Sequence, residues 1–91
     1  MKVKVFVITI ISIFFWGGSI LAQTAEEWFN KGMAFIELGQ YQDAISAFDK
    51  AIEINPKYAN AWNNKGVALG RLGRYKEAKV CYDKAKELRK E

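Results

Sequence analysis

Two kinds of apolar pattern divide the chain. From Val5 to Trp16 the residues run without a charge, and only Thr9 and Ser12 interrupt their apolar character. Beyond Gln23 the apolar residues thin out and recur at helical spacing. Trp28, Phe35 and Leu38 fall near one stripe, as the 3.6-residue period demands of a helix with one buried face. Gly39 and Gly73 each follow such a stretch, where a helix C-terminus favours left-handed backbone. Asn55-Pro56 stops the second helical stretch, since proline disfavours helical backbone in the residue before it. The pattern predicts four helices, at about 25–38, 41–54, 59–72 and 75–89, and hence an all-α fold.

The second half of the chain repeats the first. Aligning residues 25–57 with 59–91, at an offset of 34, gives 14 identities in 33 positions without a gap. Among them Trp28, Gly32, Tyr41, Ala44 and Ala51 return as Trp62, Gly66, Tyr75, Ala78 and Ala85. A period of this length marks a helix–turn–helix unit that stacks into a solenoid. The small residues Gly32, Ala44 and Ala51 let paired helices approach closely, with Trp28 and Phe48 expected to fill the remaining core space.

These positions resemble the tetratricopeptide repeat family. Repeat one, residues 25–58, supplies Trp28, Gly32, Phe35, Tyr41, Ala44, Phe48, Ala51 and Pro56. Repeat two, residues 59–91, supplies Trp62, Gly66, Leu69, Tyr75, Ala78, Tyr82 and Ala85. The family's leucine before the glycine is replaced by Lys31 and Lys65, and Lys90 stands where repeat two lacks its proline. The resemblance implies a short solenoid of two repeats, four antiparallel helices in all, acting as a protein-interaction module. It also implies that the first helix of each repeat lines a concave groove for an extended or helical peptide. The groove positions are then Glu26, Phe29, Met33, Ile36 and Glu37 from repeat one, and Asn60, Asn63, Asn64, Val67, Gly70 and Arg71 from repeat two. Phe29, Met33, Ile36 and Val67 form an apolar strip, and the asparagines can hydrogen-bond a peptide backbone. The subclass that grips C-terminal carboxylates through lysines, an arginine and asparagines over three repeats is excluded, because only Asn64 matches its clamp.

The N-terminal segment belongs to a different class of signal. Lys2 and Lys4, the apolar run, the Gly17-Gly18 break and Ala22 reproduce the charged start, apolar core and small cleavage residue of a secretory signal. Residues 1–22 are therefore expected to be removed, leaving an exported domain, periplasmic or secreted. The competing reading is an uncleaved anchor over residues 5–22, which just reaches the length needed to span a bilayer. Membrane contact is expected only if that segment is retained.

Composition narrows the chemistry. With no histidine and one cysteine in 91 residues, the chain lacks the commonest general base and metal ligand and cannot close an internal disulfide. An enzyme, a cofactor and a metal site are all unexpected. Cys81 corresponds to Ala47 and reads as a small packing residue, with intermolecular pairing the alternative. The net charge of +4 includes the two N-terminal lysines, and the rest is split: residues 25–58 carry −3 and residues 59–91 carry +5. Solvated surface explains most of this, and nucleic acid is not an expected partner. An anionic polymer or lipid at the basic repeat, through residues such as Lys76, Lys84 and Lys90, is the alternative. The partner expected first is a protein or peptide, with self-association a further expectation. Two repeats are fewer than usually suffice for stability. Lys79 and Lys86 replace Ile45 and Ile52, as a polar outer face on a terminal repeat would require.

Overall fold

The computed structural model describes residues 23–91; the expected targeting segment, 1–22, lies outside them. Four helices follow one another: α1 (Ala25–Glu37), α2 (Tyr41–Ile54), α3 (Ala59–Arg71) and α4 (Tyr75–Arg89). Local chemistry sets their limits. Thr24 caps α1, its hydroxyl accepting the Glu27 amide at 3.1 Å, and Glu26 and Glu27 place negative charge in the first turn. Gly39 and Gly73 adopt φ of +74° and +79°. In each repeat this lets two amides turn back on the helix end: Gly39 to Ile36 and Gln40 to Phe35, then Gly73 to Gly70 and Arg74 to Leu69. That pairing satisfies carbonyls that the last turn would otherwise leave open. Asn55 is extended, ending α2 before Pro56, and its side chain accepts the Lys57 amide. Trp62 then donates its indole N–H to the Pro56 carbonyl at 2.9 Å, tying the second repeat to the turn that precedes it.

The helices stack in sequence order. α1 packs on α2, α2 on α3 and α3 on α4, and α1 also touches α3, whereas α2 and α4 make no contact. First helices that meet while second helices splay apart put α1 and α3 on the inner side of a curved stack. The core joins Ile45 and Phe48 of α2, Leu69 of α3 and Cys81 of α4, with alanines at 44, 68 and 78. Phe48 is the largest wholly buried side chain. Its ring lies so close to Gly32 that a Cβ there would sit 2.7 Å from Phe48 Cδ1. Gly66 makes the same close approach to Tyr82, but Tyr82 remains 39% exposed. The difference has a physical cause: α3 covers the α2 face that carries Phe48, and no described helix covers the equivalent face of α4.

One expectation about the aromatic residues is corrected. Phe48 fills the core, but Trp28 stands outside the core cluster, half-buried, with the Lys31 ammonium 4.6 Å from its ring centroid. Phe29 packs against the core instead, its ring centroid 5.7 Å from that of Phe48. Cys81 is buried as its counterpart Ala47 is. Burial pushes its thiol pKa up, which disfavours the thiolate that pairing needs.

Candidate functional site

The inner surface is built by α1 and α3, and the positions expected to line a groove divide into three groups on it. At the repeat junction the Phe29 ring lies 5.1 Å from that of Tyr58, tilted by 42°. Tyr58 immediately precedes α3, so this aromatic pair ties α1 to the turn that leads into the second repeat. Burial and the neighbouring Glu26 charge both raise the Tyr58 pKa, burial more strongly; the phenol therefore stays protonated and can donate a hydrogen bond close to a carboxylate. Sequence reasoning misses Tyr58 because it is the last residue of its repeat and its counterpart would follow Glu91.

Along α1, Met33 and Ile36 are half-buried against the core, as Phe29 is. They provide apolar surface that is backed by packed side chains and still open on one side. Glu26 and Glu37 are exposed at either end of this strip.

On α3 the polar positions are partly committed already. Asn64 donates its amide to the Asn60 carbonyl at 2.8 Å, and the Asn60 side chain accepts from the Arg89 guanidinium at 3.3 Å. Asn63 is half-buried on the same helix. Val67, Gly70 and Arg71 line an open concavity of about 420 Å³ that continues onto Tyr75, Lys79 and Tyr82 of α4. Acidic ends on α1 and Arg71 on α3 make the two halves of the inner surface opposite in charge.

The basic side of repeat two is not a uniform cationic patch. Lys79 pairs with Asp83 at 2.9 Å, and Arg74 pairs with Glu77. Among the described residues no three His, Cys, Asp or Glu side chains gather where a metal ion could be held. Nor is any described helix long and apolar enough to cross a membrane.

Comparison with known proteins adds family membership to this geometry. A family profile described as "TPR repeat" matches residues 32–73, and one described as "Tetratricopeptide repeat" matches residues 59–91. Together they run from residue 32 to the last residue. No curated protein sequence matches the chain. Among solved structures, the crystal structure of MamA is similar with a TM-score of 0.71 and 29% identity, covering 72% of this chain and 39% of the MamA chain. The chain thus spans well under half of that neighbour's length. A 34-residue period, paired helices closed by left-handed glycines, a glycine–aromatic contact in each repeat and two family matches lead to one conclusion: the chain belongs to the tetratricopeptide repeat family, whose repeats are protein–protein interaction modules.

Proposed function

We propose that the protein is a non-enzymatic binding module that holds an apolar or amphipathic peptide segment of a partner against the inner surface of α1 and α3. The observation that carries this reading is the Phe29–Tyr58 pair at the repeat junction, backed by Phe48 and flanked by Glu26. It offers an apolar anchor site with a phenol and a carboxylate at its edge, on the side to which the stack curves. Met33, Ile36 and Val67 extend the apolar strip, and Asn63 offers its amide, and Asn64 its side-chain oxygen, to a peptide backbone. With Glu26 and Glu37 on α1 and Arg71 on α3, the segment that fits carries a cation toward repeat one and an anion toward repeat two.

The test is a selection from a displayed random-peptide library on the immobilised protein, followed by affinity measurement on variants. Enriched peptides with the stated charge order should lose at least about tenfold in affinity, or about 1.4 kcal/mol, to Asn63→Arg. They should bind Lys50→Ala, at an exposed position of α2, unchanged. Enriched peptides that bind Asn63→Arg as well as the parent would place recognition elsewhere.

The N-terminal pattern supports delivery of this module across a membrane, with cleavage after Ala22. Retention of residues 5–22 would make it a membrane-anchored scaffold with the same groove. Intact mass of the protein from its native host separates the two: a species beginning at Gln23 is expected, and a full-length species resistant to carbonate washing establishes the anchor.

A further inference from the structure

The two ends of the stack are related by the repeat period, so the junction inside the molecule is a template for what each end could meet. Inside, α3 lies on α2. Lys65 pairs with Asp49 at 2.6 Å, and Ala61, Ala68 and Leu69 are buried. Shifting α3 back by 34 residues gives α1, which presents Glu27, Lys31, Ala34 and Phe35 at those places. Ala34 is exposed where Ala68 is wholly buried. Shifting α2 forward gives α4, whose Tyr75, Lys79 and Tyr82 wall the 420 Å³ concavity. Their counterparts Tyr41, Ile45 and Phe48 all lie in or against the core cluster. Among the described residues, one end therefore carries a helix face without a seat, and the other a seat without a helix.

The charges at the two ends match each other better than either matches the inner junction. Lys31 and Asp83 stand in the places of Lys65 and Asp49, so the same ion pair is available between ends. The Lys79 ammonium occupies one Asp83 oxygen and leaves the second for Lys31. With Lys65 on Asp49, antiparallel packing would bring Ala61, one turn before Lys65, toward Ile52, nearly one turn after Asp49. At the ends this apolar pair becomes Glu27 and Lys86, opposite in charge. α1 carries three acidic residues and one lysine, net −2, and α4 carries five basic and three acidic residues, net +2. A polar face on α4 thus rejects a helix with alanine at the Glu27 place and accepts one with an acid there.

We propose that a second copy of this chain seats its α1 on the open face of α4, in the register by which α3 sits on α2, so that copies join head to tail. The contact is heterologous: each copy uses two different surfaces, and the chain of copies closes into a ring or extends as a filament. Joining also places two further repeats beside the two described ones, and repeat units stabilise one another through such contacts. The Lys79 stem lies along Phe35 in this register with its ammonium held by Asp83, which lets a long cation cover apolar surface.

Sedimentation of the purified full chain in non-ionic detergent over a wide concentration range tests the contact, with helicity checked for every variant. Association is expected, weakened about tenfold or more by Lys31→Glu or by Asp83→Lys, and largely restored in the double charge reversal. Association unaffected by either change, or none at all, overturns the proposal. Register is read by cross-linking full-length Lys31→Cys and Asp83→Cys copies, mixed, each carrying Cys81→Ala. A mixed disulfide between positions 31 and 83 is expected to dominate. Dominant 31–31 or 83–83 pairs would show a symmetric contact and overturn the head-to-tail arrangement.

Discussion

Gly32 and Gly66 occupy the same place in two repeats and are flattened against equivalent aromatic rings, yet their neighbours differ in freedom. Phe48 is wholly buried and cannot withdraw, whereas Tyr82 is partly exposed and can swing outward. Gly32→Ala is therefore expected to cost about 1–3 kcal/mol by overpacking, while Gly66→Ala stays near neutral, its clash offset by about 1 kcal/mol of helix propensity. Urea unfolding of both variants checks the difference, and equal costs would mean that Tyr82 is as confined as Phe48. The same comparison ranks the aromatics. Phe48→Ala should lose about 3–5 kcal/mol, Phe29→Ala less, and Trp28→Ala least. This ranking was not legible in the sequence. Trp28 and Phe29 are adjacent aromatics about 100° apart on one helix, and the repeat pattern marks Trp28 as the framework residue. A period records equivalent positions, but burial depends on which neighbour covers them, and the described residues put no helix before α1. Cys81 gives a chemical readout of the same packing. Its raised thiol pKa and burial predict that a thiol reagent at neutral pH labels it only through opening of the α3–α4 pair.

At the scale of the helix, the ends were the most legible feature of the chain. The glycines after α1 and α3 and the Asn-Pro after α2 predict boundaries within a residue of those observed, because each acts through local backbone geometry that no tertiary contact overrides. A Cβ added at Gly39 would meet nothing within 4 Å, so Gly39→Ala isolates the backbone cost of positive φ. About 1–2 kcal/mol is expected, read from thermal unfolding, with Gly73→Ala the same; a neutral Gly39→Ala would show that the turn re-forms without left-handed backbone. The start of α4 is held differently, by the Arg74–Glu77 pair, with Arg74 Nε donating to a Glu77 oxygen at 3.1 Å. The hydrogen bond to Arg74 lowers the Glu77 pKa. Its contribution is thus present above the ordinary glutamate pKa and is lost as the pH falls through the depressed value. Glu77→Gln should flatten that part of the acid limb of the stability–pH curve. The groove was only half legible at this scale: its helices follow from the family pattern, but the Phe29–Tyr58 pair depends on how α1 meets the turn before α3, and the Asn60–Asn64–Arg89 hydrogen bonds on how α3 packs against α4.

Among the described residues, two repeats share one small core in which seven of the eleven buried hydrophobic residues are alanines. Solenoid stability is a sum of weak repeats and the interfaces between them, and the described residues form a single inter-repeat interface. Thermal unfolding of residues 23–91 is expected to fall within or below the usual range of about 45–65 °C for small domains, and to rise with protein concentration or with a bound peptide. A concentration-independent midpoint well above that range would mean that the inter-repeat interface is far stronger than its size implies. The central claim is that binding occupies the side to which the stack curves. Amide chemical-shift mapping of the protein with an enriched peptide tests it most directly. Shifts are expected to concentrate at Glu26, Phe29 and Met33 of α1, at Tyr58, and at Asn63 and Val67 of α3. Shifts concentrated instead at Ser46 and Lys50 of α2 and Val80 and Lys84 of α4 would place the partner on the outer helices and contradict it.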